Sequence, residues 1–320
     1  MLKAYDYAEV RSTTDGIQDQ GLFNKEKSCA LKFVLENKNN FKKVACPVCG
    51  SDHTRFIFSR WEVEYSFCEE CCSIYIPVSE ELIKEYLDMP QMKELRCSEA
   101  YQAQAEVRRA DLWDELVMWA QYRLYRYLGR NTDLSVIDYG NRYNGLINRF
   151  KESGICDKYE LRDSIMSVES DKVDKADVIL YMNQLQHEVN PVKTLCELRE
   201  NLKDDGILIL NTRLGSGFDI LTLKGEMDSI FPYEHIMLPS RKGLELILEE
   251  AGYELLEITT PGTRDMESVL RNKEKIEDGN FFVKYLLKTA DKSTLADFQQ
   301  FLQKSGLSSF AQVVARVRSK

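Results

Sequence analysis

The chain has 320 residues, enough for two domains, one with a substantial core. Its 52 acidic and 43 basic residues leave a net charge of −9, which argues against general affinity for nucleic-acid phosphate. No apolar run approaches the length of a membrane span, and the first thirty residues lack the apolar block of a secretion signal.

Residues 1–45 are polar and mixed, with no decisive pattern. Residues 46–78 carry the strongest local signal. Cys46-Pro-Val-Cys49 is followed, after eighteen intervening residues, by Cys68-Glu-Glu-Cys71. Two C-x-x-C pairs at that separation can wrap four thiolates around one zinc ion. The β-rich runs Thr54–Ser59 and Glu62–Phe67 between them suit a hairpin, and Gly50 suits a tight metal knuckle. The pattern predicts a zinc ribbon with Cys46, Cys49, Cys68 and Cys71 as ligands. Four thiolates leave no open position, so the metal is expected to be structural. Cys72 is an alternative ligand disfavoured by the symmetric pairing, and His53 is another, read instead as a polar loop histidine. The five remaining cysteines form no disulfide framework, which predicts a reduced, cytoplasmic compartment.

A helical region follows over 79–130. Ser79 caps a short helix, Pro90 marks a break, and Trp113, Leu116, Val117, Ala120, Leu124 and Leu128 fall at helical spacing up to Gly129. This stripe is expected to pack on the next domain. From 131 to 320 the pattern alternates strand and helix, which predicts an α/β fold with a parallel sheet covered on both faces. Predicted strands are 135–140, 158–163, 176–181, 206–211 and 253–258. A helix with Val192, Leu195, Leu198 and Leu202 precedes the fourth, and one opening at Ser240 precedes the fifth. A helical insertion over about 265–305 leads to a last strand, 310–317.

In the order and spacing of several motifs, the chain resembles a class I S-adenosylmethionine-dependent methyltransferase with an N-terminal zinc ribbon. Bacterial enzymes of that layout are associated with sugar and surface-polysaccharide modification. Val136-Ile-Asp-Tyr-Gly140 resembles the family's first strand and glycine turn. Leu185-Gln-His187-Glu-Val-Asn-Pro191 resembles its "Leu-x-His-Val-x-x-Pro" segment. Leu202-Lys-Asp-Asp-Gly206 resembles "Leu-Lys-Pro-Gly-Gly", and His235 to Ser240 with Ala251-Gly252-Tyr253 resembles "His-x-x-x-x-Ser … Ala-Gly-Phe". The resemblance implies a Rossmann-like methyltransferase domain whose last strand is antiparallel. It implies S-adenosylmethionine as cofactor, bound through Asp138, Gly140 and Asp163, and a small-molecule or sugar acceptor. His187 and His235 are the implied catalytic bases; each is otherwise a loop histidine. Oligomeric state is not legible.

Two departures stand out. Arg142 and Asn144 occupy positions where the family has glycines, and only thirteen residues separate Asp163 from Asp177, where a helix and strand usually sit. They define the alternative: a non-catalytic, methyltransferase-like binding or assembly protein that no longer holds the cofactor.

Overall fold

The structure, a computed structural model, describes residues 20–40, 44–140, 144–162 and 174–318. Helix α1 (Gln20–Asn37) precedes the ribbon strands β1 (Thr54–Arg60), β2 (Val63–Cys68) and β3 (Ile74–Tyr75). Three helices follow: α2 (Glu80–Leu87), α3 (Pro90–Cys97) and α4 (Glu99–Leu128). The rest runs β4 (Leu134–Tyr139), α5 (Asn144–Glu152), β5 (Cys156–Arg162), β6 (Ala176–Met182), α6 (Pro191–Glu200), β7 (Leu202–Arg213) and α7 (Phe218–Leu223). It closes with β8 (Met237–Leu238), α8 (Arg241–Glu250), β9 (Tyr253–Thr259), α9 (Asp265–Arg271), α10 (Phe281–Thr289), α11 (Lys292–Lys304) and β10 (Phe310–Val317).

The main sheet has the order β5-β4-β6-β7-β10-β9. Strands β5, β4, β6 and β7 are parallel, and β10 is antiparallel to both its neighbours, as the resemblance implied. Every residue of β6 is buried, which explains its continuous apolar sequence: a parallel strand covered on both faces has no polar side. Leu116, Val117, Ala120 and Leu124 of α4 pack on one face with Leu146 and Phe150 of α5. Leu195 and Leu198 of α6 and Leu244 and Leu248 of α8 cover the other. The Trp113 side chain lies outside the described residues.

Termini follow local chemistry. Pro90 starts α3 at its first turn, where its missing N–H costs nothing, and Gly129 ends α4 at φ +73°. One expectation is corrected: Leu202 opens β7 and does not belong to the preceding helix. Asn190 caps α6 at its start and Asn201 ends it, so Leu202 pairs with Ala176. Among the described residues, no helix is long and apolar enough to cross a membrane.

The ribbon is built into the α/β unit. Strand β3 pairs antiparallel with β8, so the ribbon sheet is completed from the carboxyl-terminal half of the chain. Ser240 caps α8 by accepting the Gly243 N–H, donates its own hydroxyl to the Cys71 carbonyl, and sends its N–H to Ser73 Oγ. Gly243 is required there, since a Cβ would lie 2.3 Å from Ser73 Oγ.

Candidate active site and metal centre

In the ribbon, the four cysteine sulfurs all lie within 4.8 Å of one another. Cys46 and Cys71 are 3.6 Å apart and Cys49 and Cys68 are 3.5 Å apart. A tetrahedron with ~2.3 Å metal–sulfur arms has edges of about 3.8 Å, so the donor set fits a thiophilic ion such as zinc. The two knuckles are alike: Gly50 N–H bonds to Cys46 O, and Cys72 N–H bonds to Cys68 O. Gly50 (φ +70°) and Cys72 (φ +59°) occupy the same left-handed position, so Cys72 is a knuckle residue, exposed and outside the sulfur cluster. His53 lies in the loop, its Nδ1 3.1 Å from Glu70 Oε1.

At the carboxyl edge of the main sheet, β4 ends at Tyr139, just before Gly140, and β6 leads to a short 3-10 turn, Leu185–His187. Gly140 has φ +76°, and a Cβ there would sit 2.6 Å from the Gln184 amide carbon. Gln184 Nε2 donates to the Gly140 carbonyl at 3.0 Å and the Met182 carbonyl at 3.2 Å. The room left by the missing Cβ is filled by the Gln184 amide, so the positive φ and the absence of a side chain are required by this contact between the β4 turn and the turn after β6. Asp138 is fully buried, and its Oδ2 accepts the Tyr159 hydroxyl at 2.6 Å. It therefore ties the end of β4 to β5. Asp163, Arg142 and Tyr143, and the Asn144 side chain, lie outside the described residues; Tyr139 is buried, its hydroxyl accepting from Arg162 Nη1 at 3.0 Å.

His187 and His235, 48 positions apart, come together with ring centroids 6.2 Å apart. The cause is a backbone bridge: Ile236 donates its N–H to the Gln186 carbonyl at 2.8 Å, tying the 3-10 turn to the loop before β8. His235 Nδ1 accepts the Phe231 N–H at 3.2 Å, so the neutral ring carries its proton on Nε2. Beside it, Glu234 accepts from Tyr86 at 2.6 Å and pairs with Arg96, which also holds Glu26 at 3.0 Å. Burial opposes the charge of Glu234, yet Arg96, the Tyr86 hydroxyl and the two imidazoles hold its carboxyl below the usual range. Glu188 shows the reverse balance. Burial pushes its carboxyl up, although Tyr181 at 2.5 Å and Thr194 at 2.8 Å both donate to it.

The ribbon reaches this loop. Trp61 and Glu62 form its two-residue hairpin turn with φ of +51° and +63°. Such turns usually take Asn and Gly, and left-handed geometry costs bulkier residues roughly 1–2 kcal/mol each. The strain delivers the Trp61 ring to Phe231, with centroids 5.5 Å apart, and Arg60 Nη1 donates to the Gly225 carbonyl at 2.7 Å. Phe231 in turn lies 6.2 Å from His235.

Burial lowers His235 to about 3, and the charges of Arg213 and His187 add to that shift. Its unfolded value is near 6.5, so as pH falls the unfolded chain takes up this proton first. The contribution to stability is complete above about pH 6.5 and is lost progressively towards pH 3, on the order of 2–4 kcal/mol. Urea midpoints measured between pH 7 and 4 should therefore fall more steeply for the wild type than for His235→Asn. Parallel curves would refute the assignment.

Gln184 and Arg213 are candidate site residues that no motif in the sequence marks, and Glu234 stands out in the sequence only as the neighbour of His235.

The methyltransferase domain family matches residues 106–258, just under half of the chain, and this match supports an enzyme of the methyltransferase class. No curated protein matches the sequence. The fold is similar to several solved structures. The plantazolicin methyltransferase BpumL in complex with SAH has 12% identity and a TM-score of 0.45, with 74% of this chain and 94% of that chain covered. A Galdieria sulphuraria protein described as a sarcosine dimethylglycine methyltransferase has 13% identity and a TM-score of 0.43, covering 67% and 88%. The [4+2]-cyclase SpnF has 14% identity and a TM-score of 0.37, covering 66% and 81%. Identities this low do not assign a reaction or a substrate.

Proposed function

We propose that the chain is an S-adenosylmethionine-dependent methyltransferase acting on a hydroxyl of a sugar or polysaccharide precursor, with a structural zinc in its ribbon. The observation that carries this reading is the meeting of His187 and His235 at the carboxyl edge of the sheet, where ligands bind in open α/β folds. The cofactor, when bound, supplies a methyl group activated on a sulfonium. Gly140, packed against Gln184, would form one edge of the cofactor site, Asp138 holds the end of β4 through Tyr159, and Asp163 is the proposed ribose ligand.

The two histidines differ in chemistry. A general base works best with a pKa near the operating pH. At about 3, His235 stays neutral and serves as a hydrogen-bond donor through Nε2. An imidazole nitrogen of His187 takes the acceptor hydroxyl's proton, and alignment of the acceptor supplies the remainder of the barrier lowering.

Isothermal titration with S-adenosylhomocysteine tests the reading. Saturable heat is expected, and Gly140→Ala should weaken it about tenfold or more, because the added Cβ meets Gln184 at positive φ. Absence of heat and of any thermal shift at millimolar ligand would overturn it in favour of a non-catalytic binding protein.

A further inference from the structure

The loop that carries His235 is also gripped by a cation that the chemistry above does not use. Arg213 is the last residue of β7, at the same edge of the sheet as the histidines. Its Nη1 donates to the Ser229 hydroxyl at 2.5 Å and the Ser229 carbonyl at 3.1 Å. Ser229 precedes Phe231 by two positions, and the Phe231 N–H is the donor to His235. Strand β7 also reaches the His187 turn: the Asn183 N–H bonds to Asn211 Oδ1 at 2.7 Å, and Thr212 Oγ1 donates to Gln186 Oε1 at 3.0 Å.

The bland account is that Arg213 is neutralised by Asp219. The geometry is poor for that, because Nη2 reaches Asp219 Oδ2 only at 4.0 Å, beyond hydrogen-bonding range. Asp219 Oδ1 already accepts the Ile220 N–H at 2.8 Å. Burial pushes the Asp219 carboxyl up to about 6 in spite of Arg213, whereas a close ion pair would hold it down. Glu234, the other carboxylate near the histidines, is held by Arg96 and Tyr86. Among the described residues, Nε and Nη2 of Arg213 have no hydrogen-bond partner, on a side chain only 23% exposed. A guanidinium carries five donors in a planar fork, and its Nε–Nη2 edge matches a carboxylate or phosphate in two parallel bonds. Neither atom is among the buried polar atoms that lack a partner, so the edge keeps contact with solvent and is open to an incoming anion, with which it can form charge-assisted bonds.

We propose that Arg213 binds an anionic group of the methyl acceptor, a carboxylate or a phosphate, and so selects an acidic or phosphorylated sugar over a neutral one. This rests on the methyltransferase reading. It narrows the acceptor class and makes Arg213 a specificity residue of the same site.

The test uses the full chain with its metal and begins with S-adenosylhomocysteine titration. Failure of that step sinks the methyltransferase reading itself. With S-adenosylhomocysteine saturating, glucuronate, glucose 6-phosphate and glucose are then titrated at about 20 mM and about 200 mM salt. At least one anionic probe should bind about tenfold more tightly than glucose, with affinity falling as salt rises. Preference for glucuronate identifies a carboxylate, and preference for the phosphate identifies a phosphoryl group. Arg213→Gln should bring anionic and neutral probes to parity, and Arg213→Lys should restore part of the difference. Thermal unfolding of both variants confirms that they are folded. Equal binding of the three probes, no saturable binding of either anion up to about 10 mM, or an anion preference that survives Arg213→Gln would each overturn the proposal.

Discussion

His187→Ala is expected to lower turnover by roughly 10²–10⁴-fold, the range typical of removing a positioned general base, while S-adenosylhomocysteine affinity changes by less than about threefold. The ring lies in the turn that follows β6, whereas Gly140 follows β4, so the variant removes a proton acceptor and leaves the glycine itself unaltered. His187→Gln keeps a hydrogen-bonding side chain but cannot accept the proton at neutral pH, and it should be nearly as slow. His235 behaves differently. Its burial keeps it neutral, and its Nδ1 holds the Phe231 N–H, so His235→Asn should cost only about tenfold, mainly through positioning. Rates measured with a methyl-labelled cofactor and a saturating acceptor distinguish the two. Equal losses, or a larger loss at His235, would reverse the assignment; unchanged turnover in both variants would remove the pair from the chemistry.

The parts of this fold written in local sequence were legible. The ribbon was, because C-x-x-C spacing and Gly50 specify the knuckles within a few residues of each ligand. So was β6, whose unbroken apolar run matches burial on both faces, and β10, which spans Phe310–Val317 as expected. What failed was periodic coincidence: Leu202 lies four positions after Leu198 and so reads as helix, whereas Asn201 has already ended it. The site was only half legible. Each histidine announced itself by motif, but their meeting depends on the Ile236–Gln186 bond between segments 50 residues apart. The contacts of Arg60 with Gly225 and Trp61 with Phe231 span about 165 positions, beyond the reach of any spacing rule.

These long-range contacts make the metal matter to the chemistry. Structural zinc contributes on the order of 10 kcal/mol to small zinc-finger folds, more than a short hairpin supplies alone. The Cys46→Ser/Cys49→Ser variant should lose the single zinc that elemental analysis is expected to find in the wild type. Without the metal, the ribbon that presents the left-handed turn at Trp61 and Glu62 loosens, and the grip on Gly225 and Phe231 relaxes. Methyl transfer should then fall at least tenfold, and limited proteolysis should cut within residues 44–78. S-adenosylhomocysteine binding should persist within about threefold, because Gly140 and Asp138 belong to β4 and its turn in the main sheet, whereas the ribbon strands pair with β8 in a separate sheet. A metal-free protein with full turnover would show that the ribbon is a bystander to catalysis. Loss of S-adenosylhomocysteine binding together with activity would show instead that zinc holds the whole α/β unit, and not the acceptor loop in particular.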